Sequence, residues 1–203
     1  MLTLYWFWSV NPQKVRLALE ELGLEYSLVT VDLARAGQQA DLVGELNPNH
    51  KVPVLTWDAY TIWESNAILT YLGERTHRLW PTDAESKGIA AKWLFFESRH
   101  LAEPIGRMWL NGYVVRQLGR TPDTLAQERA EKSAARYLTV LNGHLETNEW
   151  MLGEVFSLVD CCYAPLVDAL SLAGDYLVAY PAIKAYLQKV RARKAWSACG
   201  FRT

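Results

Sequence analysis

A proline between two apolar residues, in the stretch Val52-Pro53-Val54, is the feature of this sequence that points most directly to ligand chemistry. Proline lacks the N–H that a central strand needs, so we expect it at a strand's start or edge, where a cis bond is one option. Such a bend leaves the backbone N–H and C=O of Val52 free to pair with an extended, peptide-like ligand. Further along, Ser65 opens an apolar-periodic helix whose first N–H groups suit a carboxylate.

A second polar group follows the first predicted strand. Ser9 comes directly after that strand, and Asn11-Pro12 is typical of a helix N-cap followed by proline at the first helical position. The positive end of this helix should therefore point at the loop, together with the Ser9 hydroxyl. These are groups that stabilise an anion.

The elements that position these residues come from a chain of 203 residues, half of them hydrophobic, which is enough for one large or two small domains. The formal net charge is -1, with 21 basic and 22 acidic residues interspersed. This balance provides no electrostatic footprint for nucleic acid or for an anionic membrane. We therefore predict a small-molecule partner.

Targeting and metal signals are absent from the sequence pattern. The apolar start, Met1 to Val10, lacks a basic region and a cleavage site, so we interpret it as a buried strand. Cys161, Cys162 and Cys199 have no CxxC spacing, and their odd number favours a reduced, cytoplasmic setting. The histidines are scattered, so no metal site is predicted.

Residues 1 to about 76 alternate between strand and helix patterns. The predicted elements, in chain order, are a strand at Leu2–Trp8, a helix at Pro12–Leu22 ending at Gly23, a strand at Tyr26–Asp32, a variable stretch at Ala34–Leu46, strands at Val54–Trp57 and Thr61–Trp63, and a helix from Ser65 to about Glu74. The order β-α-β-α-β-β-α predicts a four-stranded mixed sheet with helices on both faces.

The pattern becomes helical after a polar connection that contains Pro81. Helical periodicity runs through Ala84–Gly112, Asp123–Thr147, Leu158–Ala173 and Ala182–Arg193. Ser157 and Asp160 fit a capping box at a helix start, with Asp in place of the usual Glu. We therefore predict two domains joined by a linker.

The sequence resembles the cytosolic glutathione transferases over nearly its whole length. Four landmarks in this order carry the resemblance: Leu4-Tyr5 through Leu19, Asn47–Leu55, Glu64-Ser65, and the box from Ser157 to Asp160. The resemblance implies an α/β thioredoxin-like domain with a mixed four-stranded sheet at residues 1–76, a linker at 77–83 and an all-α helical domain at 84–203. It also implies a homodimer.

A glutathione site follows from the same resemblance, with glutathione as co-substrate and no metal. Pro53 matches the family's cis-proline, and Val52 would offer its backbone to the cysteinyl part. Glu64 and Ser65 would hold the γ-glutamyl end, although without the resemblance they are simply a helix start, for which Ser65 is a good N-cap. The predicted contacts at the glycyl end are Gln38, His50 and Lys51, and His50 is alternatively an exposed loop residue.

The resemblance places the thiolate donor at Ser9, as in serine-type members such as the theta-, zeta- and nu-like bacterial relatives. Asn11 matches an asparagine that faces the sulfur in some of those relatives, and its alternative role is that of a helix cap alone. Tyr5 is the competitor, because tyrosine-type members use a phenol near the end of the first strand. A cysteine mechanism is disfavoured, since Cys161 and Cys162 fit the core of a buried helix.

Aromatic residues suggest a second-substrate pocket, because aromatic rings offer a large contact area without fine selectivity. The predicted lining, with core packing as the alternative for each residue, is Trp8 beside the active loop and Met108, Trp109 and Tyr113 on the first helix of the helical domain. Trp6 lies next to the same loop. Arg107 would favour an anionic substrate unless it is solvated.

We therefore predict a cytoplasmic, dimeric detoxification enzyme that binds reduced glutathione and activates its thiol for attack on a small apolar or aromatic electrophile. One alternative is a glutathione-dependent reductase of disulfides, or a peroxidase. Another is a non-catalytic binding or regulatory protein with the same fold. Retention of Ser9, Val52-Pro53 and Glu64-Ser65 argues against the last.

Overall fold

Four strands form the sheet of the N-terminal half, in a computed structural model that describes residues 1–31 and 38–200. They are β1 (Leu2–Trp6), β2 (Ser27–Thr30), β3 (Val54–Trp57) and β4 (Tyr60–Trp63). Their spatial order is β2-β1-β3-β4, with β1 parallel to β2 and β3 antiparallel to both of its neighbours. The predicted four-stranded mixed sheet is confirmed.

Two strands are shorter than the sequence pattern predicts. β1 stops at Trp6 rather than Trp8, because the chain turns there and the Ser9 N–H donates to the Phe7 C=O at 2.8 Å. β2 ends at Thr30, and Asp32, the predicted end, lies outside the described residues.

Three helices cover the sheet, namely α1 (Val10–Leu22), α2 (Gln38–Leu46) and α3 (Ser65–Thr76). α1 ends at Gly23, which adopts the left-handed conformation at φ 61°, as predicted. Alternation along β1 divides the two faces: Leu4 enters the main core with α1 and α3, whereas Tyr5 packs beside Val43 of α2. The predicted placement of helices on both faces is confirmed.

The C-terminal half is helical, as predicted. Its helices are α4 (Ala84–Phe96), α5 (Ala102–Trp109), α6 (Val115–Gln117), α7 (Thr124–Thr147), α8 (Leu158–Ala173), α9 (Pro181–Arg191) and α10 (Lys194–Ala198). Single π-helical turns at Glu97–Leu101 and Leu110–Val114 join α4, α5 and α6, so the helical run continues five residues past the predicted segment Ala84–Gly112, to Gln117. No helix in the described ranges is long and apolar enough to cross a membrane.

α8 is the central helix of the molecule. It packs against α5 of the helical half and against α1 and α3 of the N-terminal half, so it joins the two halves. Its start is held by Asp160, whose carboxylate accepts the Ser157 N–H at 2.8 Å and the Met151 N–H at 2.9 Å. The predicted capping box is therefore confirmed, and Cys161 and Cys162 lie fully buried on this helix, as predicted.

Candidate functional site

The register of the sheet brings three separate stretches of chain together at the same end of the strands. Tyr5 of β1 lies opposite Val54 of β3, and Val54 lies opposite Trp63 of β4. Because β3 is antiparallel to β1 and β4, the chain leaves β1, enters β3 and leaves β4 on the same side. Those stretches carry residues that the sequence singled out: Ser9, Val52-Pro53 and Glu64-Ser65.

Ser9 is the N-cap residue of α1. Its backbone is extended, its side chain makes no capping hydrogen bond, and the residue is half-buried. The prediction that Asn11 caps this helix is therefore wrong, since Asn11 lies inside the first turn and is exposed. Pro12 is accommodated there because first-turn N–H groups have no partner within the helix. The Ser9 hydroxyl thus lies at the positive helix end without serving as a cap.

Glu64, rather than Ser65, is the N-cap residue of α3, so the prediction of Ser65 as the cap is wrong. Glu64 has φ 71° and ψ 113°, a conformation that residues other than glycine rarely adopt and that costs on the order of 1–3 kcal/mol. Ser65 is the first helical residue and is buried. Backbone strain of this kind is concentrated at functional sites, which supports a ligand role for this helix start.

The Val52–Pro53 peptide bond is cis. Among the described residues, neither the N–H nor the C=O of Val52 takes part in a hydrogen bond, so both are available to a ligand. The preceding loop is held by the buried Asn47, whose side chain donates to the Lys51 C=O at 2.8 Å and accepts the Asn49 N–H at 3.0 Å. Our sequence reasoning missed Asn47, although Asn before Pro is a signal for such side-chain bonds to the backbone.

The residues predicted for the glycyl end lie in the same region of the chain. Lys51 is exposed at the end of the Asn47 loop. His50 is also exposed, has φ 51°, and places its imidazole ring against Gly44 of α2. The side chain of Gln38, the first residue of α2, lies outside the described part of the protein.

A groove of about 920 Å³ runs between α1, α3 and α4. It brings together three of the predicted site residues, Asn11, Glu64 and Ser65, and adds three that the sequence did not single out, Lys14, Asn66 and Glu97. Ser9 and Val52 are not part of its lining. The groove therefore contains the starts of both helices but not the cis-proline bend.

A separate cleft lies where the two halves meet on the other side of α1. Trp8, Trp109 and Tyr113, three of the residues predicted for a second-substrate pocket, line this cleft together with the buried polar residues Gln13 and Asp168. The cleft holds only about 10 Å³ in this structure. Burial raises the pKa of Asp168, although its bonds to Arg191 oppose that shift.

Two neighbouring residues do not contribute to this cleft. Met108 is buried in the core and borders a different hollow, near Tyr176 and Tyr180. Arg107 is exposed and donates to Glu103 at 2.8 Å, on the surface of α5. Consecutive helical residues point about 100° apart, and here Met108 is turned into the core while Trp109 lines the cleft.

The residues that could replace Ser9 in thiol chemistry, namely Tyr5 and the cysteines of α8, lie in unfavourable positions. Tyr5 faces α2 in the cluster with Val31 and Val43, on the opposite sheet face from α1. Burial raises the pKa of both the Cys161 and the Cys162 thiols well above the ordinary value, which keeps them protonated and unreactive. In the described ranges no group of three or more His, Cys, Asp and Glu side chains could hold a metal ion.

A four-stranded mixed sheet, with a cis-proline bend and two helix starts at the same end of its strands, followed by a helical half, is a thioredoxin-like domain joined to a helical domain. Residues 8–75 match the family model of the glutathione S-transferase N-terminal domain, and residues 88–194 match that of the C-terminal domain. The chain therefore belongs to the glutathione S-transferase family, and the protein is a glutathione transferase.

Three relatives illustrate the range of this similarity. The disulfide-bond oxidoreductase YfcG of Escherichia coli is 30% identical over 96% of this chain and 92% of its own. Glutathione S-transferase 3 of Zea mays is 31% identical over 93% of this chain and 87% of its own. The solved structure of a Burkholderia graminis glutathione transferase, with two glutathione molecules bound per subunit, superposes with a TM-score of 0.82 at 28% identity, covering 98% of this chain and 86% of that one.

Proposed function

We propose that the protein binds reduced glutathione where the stretches after β1, before β3 and after β4 meet. The Ser9 hydroxyl would stabilise its thiolate. The single observation that carries this is the placement of Ser9, which lies at the N-terminus of α1 with its hydroxyl unused by the helix. A thiol with a pKa near ~8.5 is only a few per cent ionised at pH 7. Lowering that pKa to ~6.5 takes about 3 kcal/mol, which a hydrogen bond and a helix N-terminus can provide together.

The rest of the tripeptide follows from this placement. The N–H and C=O of Val52, which bond to none of the described residues, would pair with the cysteinyl backbone, and the start of α3 at Glu64 and Ser65 would hold the γ-glutamyl end. Lys51 would approach the glycyl carboxylate, with His50 and Gln38 as the other predicted contacts at that end. Asn11 lies in the same first turn as the Ser9 cap and would assist at the sulfur.

The electrophile would enter the cleft of Trp8, Trp109 and Tyr113. Its apolar rings favour an aromatic or apolar small molecule, and the small volume requires at least one ring to move when the molecule enters. The thiolate sulfur then forms a bond to the electrophilic carbon, and the displaced group leaves. Catalysis would consist of thiolate stabilisation and positioning.

A second candidate function is the reduction of disulfide bonds. The similarity to the disulfide-bond oxidoreductase YfcG and to the Burkholderia graminis protein with two bound glutathione molecules favours it. In this reaction the bound thiolate attacks one sulfur of a disulfide and releases the other sulfur as a thiolate. The thiolate of a second glutathione then attacks the glutathione sulfur of the mixed disulfide, which forms oxidised glutathione and releases the remaining substrate sulfur as a thiolate. A peroxidase would use the same thiolate against oxygen.

The proposal extends to the subclass, the domain boundaries, the cellular location and the oligomeric state of the protein. We infer a serine-type enzyme, resembling theta-, zeta- and nu-like bacterial members, with a glutathione-binding domain at residues 1–76, a linker at 77–83 and a helical domain at 84–203. The three free, buried cysteines are consistent with a reducing cytoplasm, and we propose a detoxification role there. A homodimer is supported by Phe95, which is 74% exposed at the border of the groove between α3 and α4, where a second copy would bury it.

The test is a pH titration of the thiolate absorbance of bound glutathione, in the parent protein and in Ser9→Ala. We expect the pKa of the glutathione thiol to rise by about one to two pH units in the variant, since a hydrogen bond to the charged form is lost. An unchanged pKa would exclude Ser9 as the donor, and Tyr5→Phe is then the next variant. Parallel assays with an aromatic electrophile and with a small disulfide separate the two reactions, and binding without either turnover indicates a non-catalytic protein.

A further inference from the structure

A buried polar cluster joins the two halves of the protein beside the groove. Glu97, in the turn after α4, uses its Oε1 to accept from Lys14 Nζ of α1 at 2.8 Å. Its Oε2 accepts from Asn66 Nδ2 of α3 at 3.0 Å and from Cys162 Sγ of α8 at 3.3 Å. The Lys14 and Glu97 side chains are each only 1% exposed. A single carboxylate therefore binds side chains from three other helices.

The charges in this cluster balance. Burial disfavours the charged form of Lys14, but the ion pair and hydrogen bond with Glu97 oppose that effect, and the pKa of the lysine is raised. Burial keeps Cys162 as a thiol, so it donates to the carboxylate rather than competing with it. Compared with an apolar replacement, a buried ion pair is a weak source of stability, so stability alone does not explain the cluster.

The position of the cluster relates it to the ligand site. Asn66 directly follows Ser65 at the start of α3, and Lys14 lies three residues after Asn11, on the same face of α1. Lys14, Asn66 and Glu97 line the same groove as Asn11 and Ser65. Glu97 thus holds the first turn of α3 and the second turn of α1 to one point.

We propose that Glu97 is a positioning residue for the glutathione site, because its carboxylate fixes the start of α1 relative to the start of α3. This sets the separation between the groups that hold the sulfur and those that hold the γ-glutamyl end. The inference rests on the proposed function, since it requires glutathione to span these two helix starts.

The chain offers a matched control on the same helix. Arg193, near the C-terminus, donates to Glu21 of α1 at 2.8 Å, and this partly buried ion pair also connects α1 to the helical half. Glu21 lies seven residues after Lys14, about 10 Å further along the axis and away from both helix starts. Glu21→Gln therefore weakens the contact between the halves without touching the proposed glutathione site.

The experiment compares Glu97→Gln with Glu21→Gln by melting temperature, by glutathione KM and kcat in a conjugation assay, and by calorimetric binding of glutathione. We expect both variants to melt at lower temperature, but only Glu97→Gln to raise the glutathione KM and dissociation constant by about tenfold. An equal rise in both variants, or an unchanged KM in Glu97→Gln, would overturn the proposal and leave Glu97 as a contact between domains.

A double variant covers the case in which Glu97→Gln does not fold because Lys14 is left buried and unpaired. Lys14→Met/Glu97→Gln removes both charges and should fold, since no buried charge remains. We expect it to keep the raised glutathione KM, and parent-like binding would overturn the proposal. A parent protein that binds no glutathione would overturn the proposed function and this inference together. If the parent binds glutathione and the variants bind it equally well, this inference alone is overturned.

Discussion

The imidazole of His50 occupies the space that a side chain on Gly44 would need. A β-carbon at Gly44 would lie 2.4 Å from His50 Cε1 and 2.7 Å from Nδ1, well inside van der Waals contact. Gly44 belongs to α2, and His50 belongs to the loop that leads into the cis-proline bend. The absence of a side chain at one helical position therefore allows the loop of the proposed glycyl end to pack against α2.

Gly44→Ala should displace His50 and, through it, the loop that carries Lys51. We expect the glutathione KM to rise several-fold with kcat nearly unchanged, since binding rather than chemistry is altered. The control is Gly143→Ala in α7, where an added β-carbon meets nothing within 4 Å. That variant should stabilise the protein by up to about 1 kcal/mol and leave KM unchanged. Equal KM values in the two variants would show that the loop does not depend on this contact.

Asp160 should make the stability of the protein depend on pH. Burial raises the pKa of this carboxyl to about 6 from the ordinary 3.8, although its hydrogen bonds to Met151 and Ser157 oppose the shift. Between about pH 4 and pH 6 the folded state then binds more protons at this site than the unfolded state does. The contribution of Asp160 to stability therefore falls as pH rises through this window and is level above it, a change of at most about 3 kcal/mol.

Asp160→Asn cannot titrate, so it isolates this effect. We expect the variant to be less stable than the parent, because the amide cannot accept both backbone N–H bonds, and the difference in unfolding free energy should be larger near pH 4.5 than near pH 7. Urea unfolding at several pH values measures it. A difference that is constant across this range would contradict the raised pKa.

Trp109→Ala should enlarge the second-substrate cleft, because Trp109 lines it and stacks beside Tyr113 with ring centroids 6.5 Å apart. We expect kcat/KM for a two-ring electrophile to rise about tenfold relative to a one-ring electrophile, with the glutathione KM unchanged. Leu110→Ala is the matched control, since Leu110 is 52% exposed and does not line the cleft. A similar change in both variants would place the electrophile elsewhere.

Features that depend on local chain chemistry could be predicted from the sequence. Gly23 ends α1 in the left-handed conformation that glycine adopts without strain, and Ser157 with Asp160 starts α8, because both signals act within one helical turn. The helix start at Ser9 was misplaced for a local reason as well. Serine and asparagine are both good N-caps, and proline is tolerated throughout the first turn, so the pattern Ser9-Val10-Asn11-Pro12 fits two starts.

The polar cluster at Glu97 could not be predicted, because its members are distant in the chain. Lys14 and Glu97 are 83 residues apart, and each residue type is ordinarily solvated. Only the packing of α1 against the helical half removes them from water together. The same limit applies to Asp168, which reaches the cleft of Trp8 only once the two halves are assembled.

The ends of β1, β3 and β4 that meet at the proposed site are separated by fixed distances. Adjacent strands in a sheet are about 4.8 Å apart, so the span from β1 across β3 to β4 is about 10 Å. Ser9 follows β1 and Glu64 follows β4, so in the proposed site the backbone ladder would set the distance between the group that holds the sulfur and the groups that hold the γ-glutamyl end.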